Sequence, residues 1–311
     1  MIYLNTFDSH ASYEEKLNGG GVDFKIPNVS YCKDVKDVHF NPYNLIKFYV
    51  GNITGTTQQT VKIHTDIRNY VDVQVSEGNK WYTYVLPKNK GLFKIEGDSV
   101  KKVVVKADMS YKTNINSPIV IIPSSTVEAS FKGSNTNNVT SMNNMFSACS
   151  GLTSLDLSRF DTSNVTNMSN MFEGCSGLTS LDVSSFDTSN VKDMNSMFYL
   201  CSKLTSLDVS NFNTSKVTNM DYMFGSCNGL TSLILSNFNT SMVTHMSYMF
   251  YDCSNLTTLD LSGWDLSKII EMYNVFEDCS NLGTIIMKGC SEYTINKVKS
   301  VKPSSARIVT E

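Results

Sequence analysis

Long apolar runs are missing from this chain. Stretches such as Ile119 to Ile122, held between Pro118 and Pro123, are four residues long, far short of the eighteen or so that a membrane-spanning helix needs. Positive charge is not in excess either: 26 Lys and Arg stand against 29 Asp and Glu, a net charge of −3 with a pI near 5.8. That balance excludes a general affinity for nucleic acid, which draws on a basic face. Histidine is scarce, and His10, His39, His64 and His245 are scattered over three regions. There is no phosphate-binding glycine motif, no nucleophile elbow and no paired metal-ligand spacing, so the sequence predicts neither metal nor cofactor and no enzyme. Met1 to Asp8 carries no basic start, no apolar segment and no small-residue cleavage site. This predicts either a leader already removed or another route out of the cell, such as release within a virion.

What the chain has is repetition. From about Val139 to Cys290 a unit recurs every 26 residues, marked by Met-Phe-x-x-Cys at Met145, Met171, Met197, Met223 and Met249, and by Val275-Phe276 with Cys279 in the last copy. Units that cannot bury their apolar face alone stack into a continuous core, which predicts a solenoid with an extended surface. One copy reads Leu152, Leu155, Leu157, Phe160, Val165, Met168, Met171, Phe172 and Cys175. Leu155-Asp156-Leu157 alternates at the period of a strand, so the strands should form a parallel sheet on one side. Met168, Met171, Phe172 and Cys175 fall at three- and four-residue spacings, which suits a short helix across the other side. The expected class is an α/β solenoid.

The motif Gly177-Leu-Thr-Ser-Leu-Asp-Val-Ser-Ser-Phe-Asp-Thr-Ser-Asn-Val191, followed by Met194-Asn-Ser-Met-Phe-Tyr-Leu-Cys201, resembles the BspA-like leucine-rich repeat surface proteins of bacteria over residues 125–290. The resemblance implies a leucine-rich repeat fold on a cell-surface or secreted protein that binds host proteins or other cells. A repeat fold does not by itself fix a ligand.

Around the repeat the chain divides into an N-terminal arm (1–44), a small β-sandwich-like domain (45–110), the solenoid with its N-terminal cap (111–290) and a C-terminal cap (291–311). In the arm, Ser12 and Glu15 form a capping box for a helix over Ser12 to Leu17, and strands are expected at Val29 to Cys32 and Val38 to Phe40. The arm also resembles, at Ile26-Pro-Asn-Val-Ser-Tyr-Cys-Lys-Asp34 and Val38-His-Phe-Asn41, the N-terminal parts of structural proteins from phages of gut Bacteroidales. That implies attachment to a larger assembly. Strand signals about ten residues apart run from Leu45 to Val105. Phe131, Val139 and Met142 lie 26 residues before Leu157, Val165 and Met168 and mark a degenerate first coil. Tyr293 to Val301 suits a helix, and Ala306 to Thr310 a last strand.

Six of the eight cysteines form a column at period 26. Adjacent coils place them at a distance a disulfide tolerates, but their side chains should point the same way into the core, as buried free thiols. Two outward sets are candidate ligand surfaces. On the sheet side stand Ser180 and Ser206 beside Asp156, Asp182, Asp208 and Asp260, where stacked carboxylates repel unless screened by water, a cation or a basic partner. On the other side Tyr199, Tyr222, Tyr248, Tyr251 and Tyr273 fall between the core columns, where exposed aromatics suit a protein or glycan contact. The resulting expectation is a non-catalytic binding or adhesion protein, extracellular or on a cell surface, taking a protein or glycan ligand on a cell surface or in mucus. The alternatives are a virion fibre or decoration protein and a carbohydrate-active enzyme.

Overall fold

The computed structural model describes residues 44–53, 59–64, 70–85, 94–107, 122–123, 125–132 and 134–311. The arm's expected helix and strands lie outside the described residues. Six strands come first: β1 (Asn44–Val50), β2 (Gln59–His64), β3 (Tyr70–Val75), β4 (Lys80–Val85), β5 (Lys94–Glu96) and β6 (Val100–Ala107). They form two antiparallel groups, ordered β4-β1-β6 and β3-β2-β5. Alternation explains both. Ile46, Phe48 and Val50 of β1 and Val61 and Ile63 of β2 turn inward to one shared core, with Lys47, Tyr49 and Lys62 between them.

The first group does not stop at β6. It continues in parallel into β7 (Glu128–Ser130) and β8 (Ser154–Asp156), pairing Lys102 with Glu128 and Val103 with Ala129. One β6 strand thus covers the N-terminal end of the solenoid, whose apolar edge would otherwise face water. Later coils contribute β9 (Ser232–Ile234), β10 (Thr258–Asp260) and β11 (Thr284–Ile286), and β12 (Arg307–Val309) closes that sheet. Between them helix α1 (Glu292–Val301) starts at Ser291, whose hydroxyl accepts from the Thr294 amide.

The far side of each coil carries no helix among the described residues, which corrects the expected short helices. Over Met168 to Cys175, alternate amides do two different things. Met168, Asn170, Phe172 and Gly174 donate forward to the carbonyls of Asp193, Asn195, Met197 and Tyr199 in the next coil, at 2.8–3.0 Å. Met171, Glu173 and Cys175 donate back three residues within their own coil. Left-handed residues at Asn170 and Gly174 make the alternation, and the next three coils repeat it. Geometry selects the turns: coils in strand register lie about 4.8 Å apart, whereas a helix with side chains is about 10 Å across. Two backbone ladders, one per side, need stacked turns.

Inside, the columns read from the sequence are buried. Phe146, Phe172, Phe198, Phe224, Phe250 and Phe276 stack with ring centroids 5.6–5.9 Å apart and planes within 10°. Each thiol from Cys175 to Cys279 donates to the Phe carbonyl of the coil before, at 2.9–3.2 Å. A further column, of threonines, is also buried: Thr162, Thr188, Thr214 and Thr240. The Thr188 hydroxyl donates to the Asn213 carbonyl and accepts from the Asn213 amide, satisfying both backbone groups of one residue in the next coil. Thr188→Val should therefore destabilise the protein by about 1–3 kcal/mol in urea denaturation, with Thr179→Val on the exposed surface close to neutral.

The sheet side is interrupted. Residues 180–182 and 206–208, which repeat Ser-Leu-Asp, belong to no strand, so β8 and β9 end their respective sheets. Ladder pairing is present for Ser130 with Asp156 and for Asp260 with Ile234 and Ile286. It is absent where Asp156, Asp182 and Asp208 follow one another, and at the step from Asp208 to Ile234. Like charges directly opposite disfavour pairing at the two Asp–Asp steps, a cause the step from Asp208 to Ile234 does not share, and the turn-side ladder, unbroken from Ser141 to Glu271, keeps these coils together.

Candidate functional site

The described turn face brings most of the candidate tyrosines together. Tyr222 and Tyr248 stack with centroids 4.6 Å apart and planes at 7°. Tyr199 meets Tyr222 edge-on at 5.3 Å, and Tyr251 meets Tyr248 at 6.0 Å. Tyr273 stands one coil further on, 63 % exposed, with no ring contact to the others among the described residues. Gly225 makes room for this cluster, since a Cβ there would lie 3.0 Å from Cδ2 of Tyr199.

Backbone conformation sets the cluster apart from packing. The position held by Tyr222 and Tyr248 is left-handed in every coil, and its other occupants are Asn144, Asn170, Ser196 and Asn274. Asparagine tolerates this region well, while a bulky side chain is disfavoured there. Tyr222 at φ 56° and Tyr248 at φ 59° therefore carry strain of order 1–3 kcal/mol each, against about 0.5–1.5 kcal/mol returned by each of the three ring contacts they make. Leu200, at φ 61° and 40 % exposed, repeats the departure beside Tyr199. Leu200 is exposed and Tyr222 and Tyr248 are half-buried, and local strain gathered on side chains that reach the surface is a mark of a functional surface.

The surroundings are acidic. Asp278 pushes the Tyr251 hydroxyl above its ordinary range, with burial, Asp252 and Glu277 adding to the shift. Burial raises Tyr222, and its tyrosine neighbours and Asp221 contribute. Asp221 is itself raised by burial, opposed by the Ser247 amide that donates to it at 2.6 Å.

The sheet-side candidates lie across the core from the tyrosines, so the two sets do not form one site. Asp156, Asp182, Asp208 and Asp260 each accept from the amide two residues on, at 2.9–3.0 Å, as local turn caps. The hydroxyl and amide of Ser184 hold Asp182 below the usual carboxylate range, and Ser210 does the same for Asp208. Ser180 and Ser206 are exposed, with Ser206 beside Ile234 in a shallow groove where the sheet is interrupted. Among the described residues no three His, Cys, Asp or Glu side chains are grouped to hold a metal ion, and no helix is long and apolar enough to cross a membrane.

Two overlapping stretches, residues 120–207 and 201–305, match a family described as Mycoplasma protein of unknown function, DUF285. Together they span more than half of the 311 residues. The chain belongs to this family. With the 26-residue coils, that membership fits the BspA-like repeat resemblance, while the matched residues do not reach the arm at 1–44 whose motifs resemble phage proteins. No curated protein and no solved structure matches the chain. For this DUF285 member the sequence located the tyrosines but not their strained backbone or the carboxylates around them. A signal was present: the column Asn170, Ser196, Tyr222, Tyr248, Asn274 switches from small polar to aromatic for two coils and back.

Proposed function

We propose that this protein is a non-catalytic binding protein that acts outside the cell or at its surface, and that the turn-side tyrosine face carries the contact. The observation behind this reading is the placement of Tyr222 and Tyr248 on left-handed positions where other coils carry asparagine or serine. Backbone conformation alone favours asparagine at those sites. Rigid, amphipathic tyrosines give large contact area for little lost side-chain entropy, and the paired backbone ladder fixes them before a ligand arrives. Copies displayed together would raise effective affinity further.

The test is retention on intact bacterial or epithelial cells and on mucin-coated surfaces, compared between the wild-type protein and Tyr222→Asn/Tyr248→Asn. We expect the double variant to lose at least tenfold in apparent affinity while keeping its circular dichroism spectrum. Equal retention by the two proteins would remove the tyrosine face from the reading.

A further inference from the structure

Charge around the tyrosines carries the reading one step further, to the chemistry of the ligand. The turn segments of the four coils that bear the tyrosines, residues 193–201, 219–227, 245–253 and 271–279, contain Asp193, Asp221, Asp252, Glu271, Glu277 and Asp278 and no Lys or Arg. The two preceding turn segments, 141–149 and 167–175, have no tyrosine and only Glu173 for charge. Tyrosine and carboxylate thus enter the same face together, on a backbone that is otherwise the same from coil to coil. Nothing in the core asks for either: Met220, Met223, Phe224 and Cys227 repeat Met168, Met171, Phe172 and Cys175, and all are buried.

We propose that the tyrosine face binds an extended, Lys- or Arg-bearing segment of a partner protein. This rests on the reading of that face as the binding surface. Ring faces attract an ammonium or guanidinium group, and carboxylates beside the rings add a Coulombic term of the same sign. Asp252, Glu277 and Asp278 already act on the Tyr251 hydroxyl through space, so their field reaches the rings. Size selects a polypeptide over a single small cation. Tyrosines on four successive coils, about 4.8 Å apart, cover roughly 14 Å along the solenoid axis. Same-face side chains of an extended peptide repeat every ~7 Å, so two or three cationic groups fall within that length. An acidic segment would meet six carboxylates without a counter-charge from those turns.

The experiment uses fluorescence anisotropy of the full chain with three labelled probes: a twelve-residue peptide alternating Lys and Ser, its counterpart alternating Glu and Ser, and a neutral N-acetylglucosamine oligomer. We expect the Lys peptide to bind, its Kd to rise at least tenfold between about 50 and 300 mM salt as screening shortens the electrostatic reach, and the other two probes to bind at least tenfold more weakly. Asp252→Asn/Glu277→Gln/Asp278→Asn should raise the Kd of the Lys peptide at least tenfold, and Tyr222→Asn/Tyr248→Asn should do the same. Asparagine suits the left-handed backbone at Asp252 and Asp278 as at Tyr222 and Tyr248, so neither variant should melt below the wild-type protein. No binding of the Lys peptide, binding of the Glu peptide or the oligomer as tight as that of the Lys peptide, or wild-type affinity in the carboxylate variant would overturn the proposal. If the carboxylate variant stays on cells and mucin as wild type does while the tyrosine variant is lost, the cationic partner falls and the tyrosine face stands.

Discussion

Phe224→Ala should lower the free energy of unfolding by about 3–5 kcal/mol, with a lower urea midpoint and little change in slope. Phe224 is fully buried and sits between Phe198 at 5.7 Å and Phe250 at 5.9 Å, so its removal opens a cavity and interrupts the ring stack on both sides. The surroundings have little freedom to collapse, because amides of the coil are bonded to the next one: Phe224 itself donates to the Met249 carbonyl. At Phe276 the stack has a ring neighbour on one side only, Phe250, so Phe276→Ala should cost less. In a solenoid, where each coil contacts its neighbours alone, an interior defect weakens two interfaces and a terminal one weakens one. Equal losses at the two positions would contradict that picture.

Alkaline pH should unfold the protein steeply. Burial pushes the thiols of Cys149, Cys201 and Cys279 up to about 12, and those of Cys175, Cys227 and Cys253 are raised as well. In the unfolded chain a thiol titrates near 8.5. The folded state holds the proton more tightly, so this contribution is complete below about pH 8.5 and is lost as pH rises toward the folded value. Each such thiol removes about 1.4 kcal/mol per pH unit in that window, so six together remove on the order of 8 kcal/mol per unit, comparable to a domain's whole stability. Urea midpoints measured from pH 7 to 10.5 should be flat at first and then collapse above about pH 9. Cys201→Ala/Cys227→Ala should shallow the fall. A midpoint unchanged at pH 10.5 would mean that the column is not a row of buried thiols.

The period and the core were legible because a solenoid writes each interior position many times. Leu152, Leu178 and Leu204 name the same slot, and a second aromatic column, Phe160, Phe186, Phe212 and Phe238, carries through to Trp264 with its burial intact. The turn face was not legible, for a physical reason: Met168, Met171, Phe172 and Cys175 have the spacing of one helical side, and stacked turns bury the same residues. Only the distance between coils separates the two, and that distance is a property of the assembled stack. The same holds for Ser180 to Asp182 and Ser206 to Asp208, whose alternation reads as strand but whose pairing depends on the charges next door. Thr188 carries a polar hydroxyl and is nevertheless buried, because the amide and carbonyl of Asn213 in the next coil satisfy it. The tyrosines were read as exposed aromatics in neighbouring coils, whereas Tyr199, Tyr222, Tyr248 and Tyr251 are half-buried and Tyr273 alone of the five is exposed; what marks Tyr222 and Tyr248 as costly is a φ angle.

The most direct measurement is the unfolding free energy of Tyr222→Asn/Tyr248→Asn. If the tyrosines serve binding, relief of the left-handed strain at two positions should offset the lost ring stack, and the variant should be as stable as the wild-type protein or up to about 2 kcal/mol more so. A loss of more than about 2 kcal/mol, the size expected for deleting packed side chains, would show that these rings hold the fold together and that the contact surface lies elsewhere.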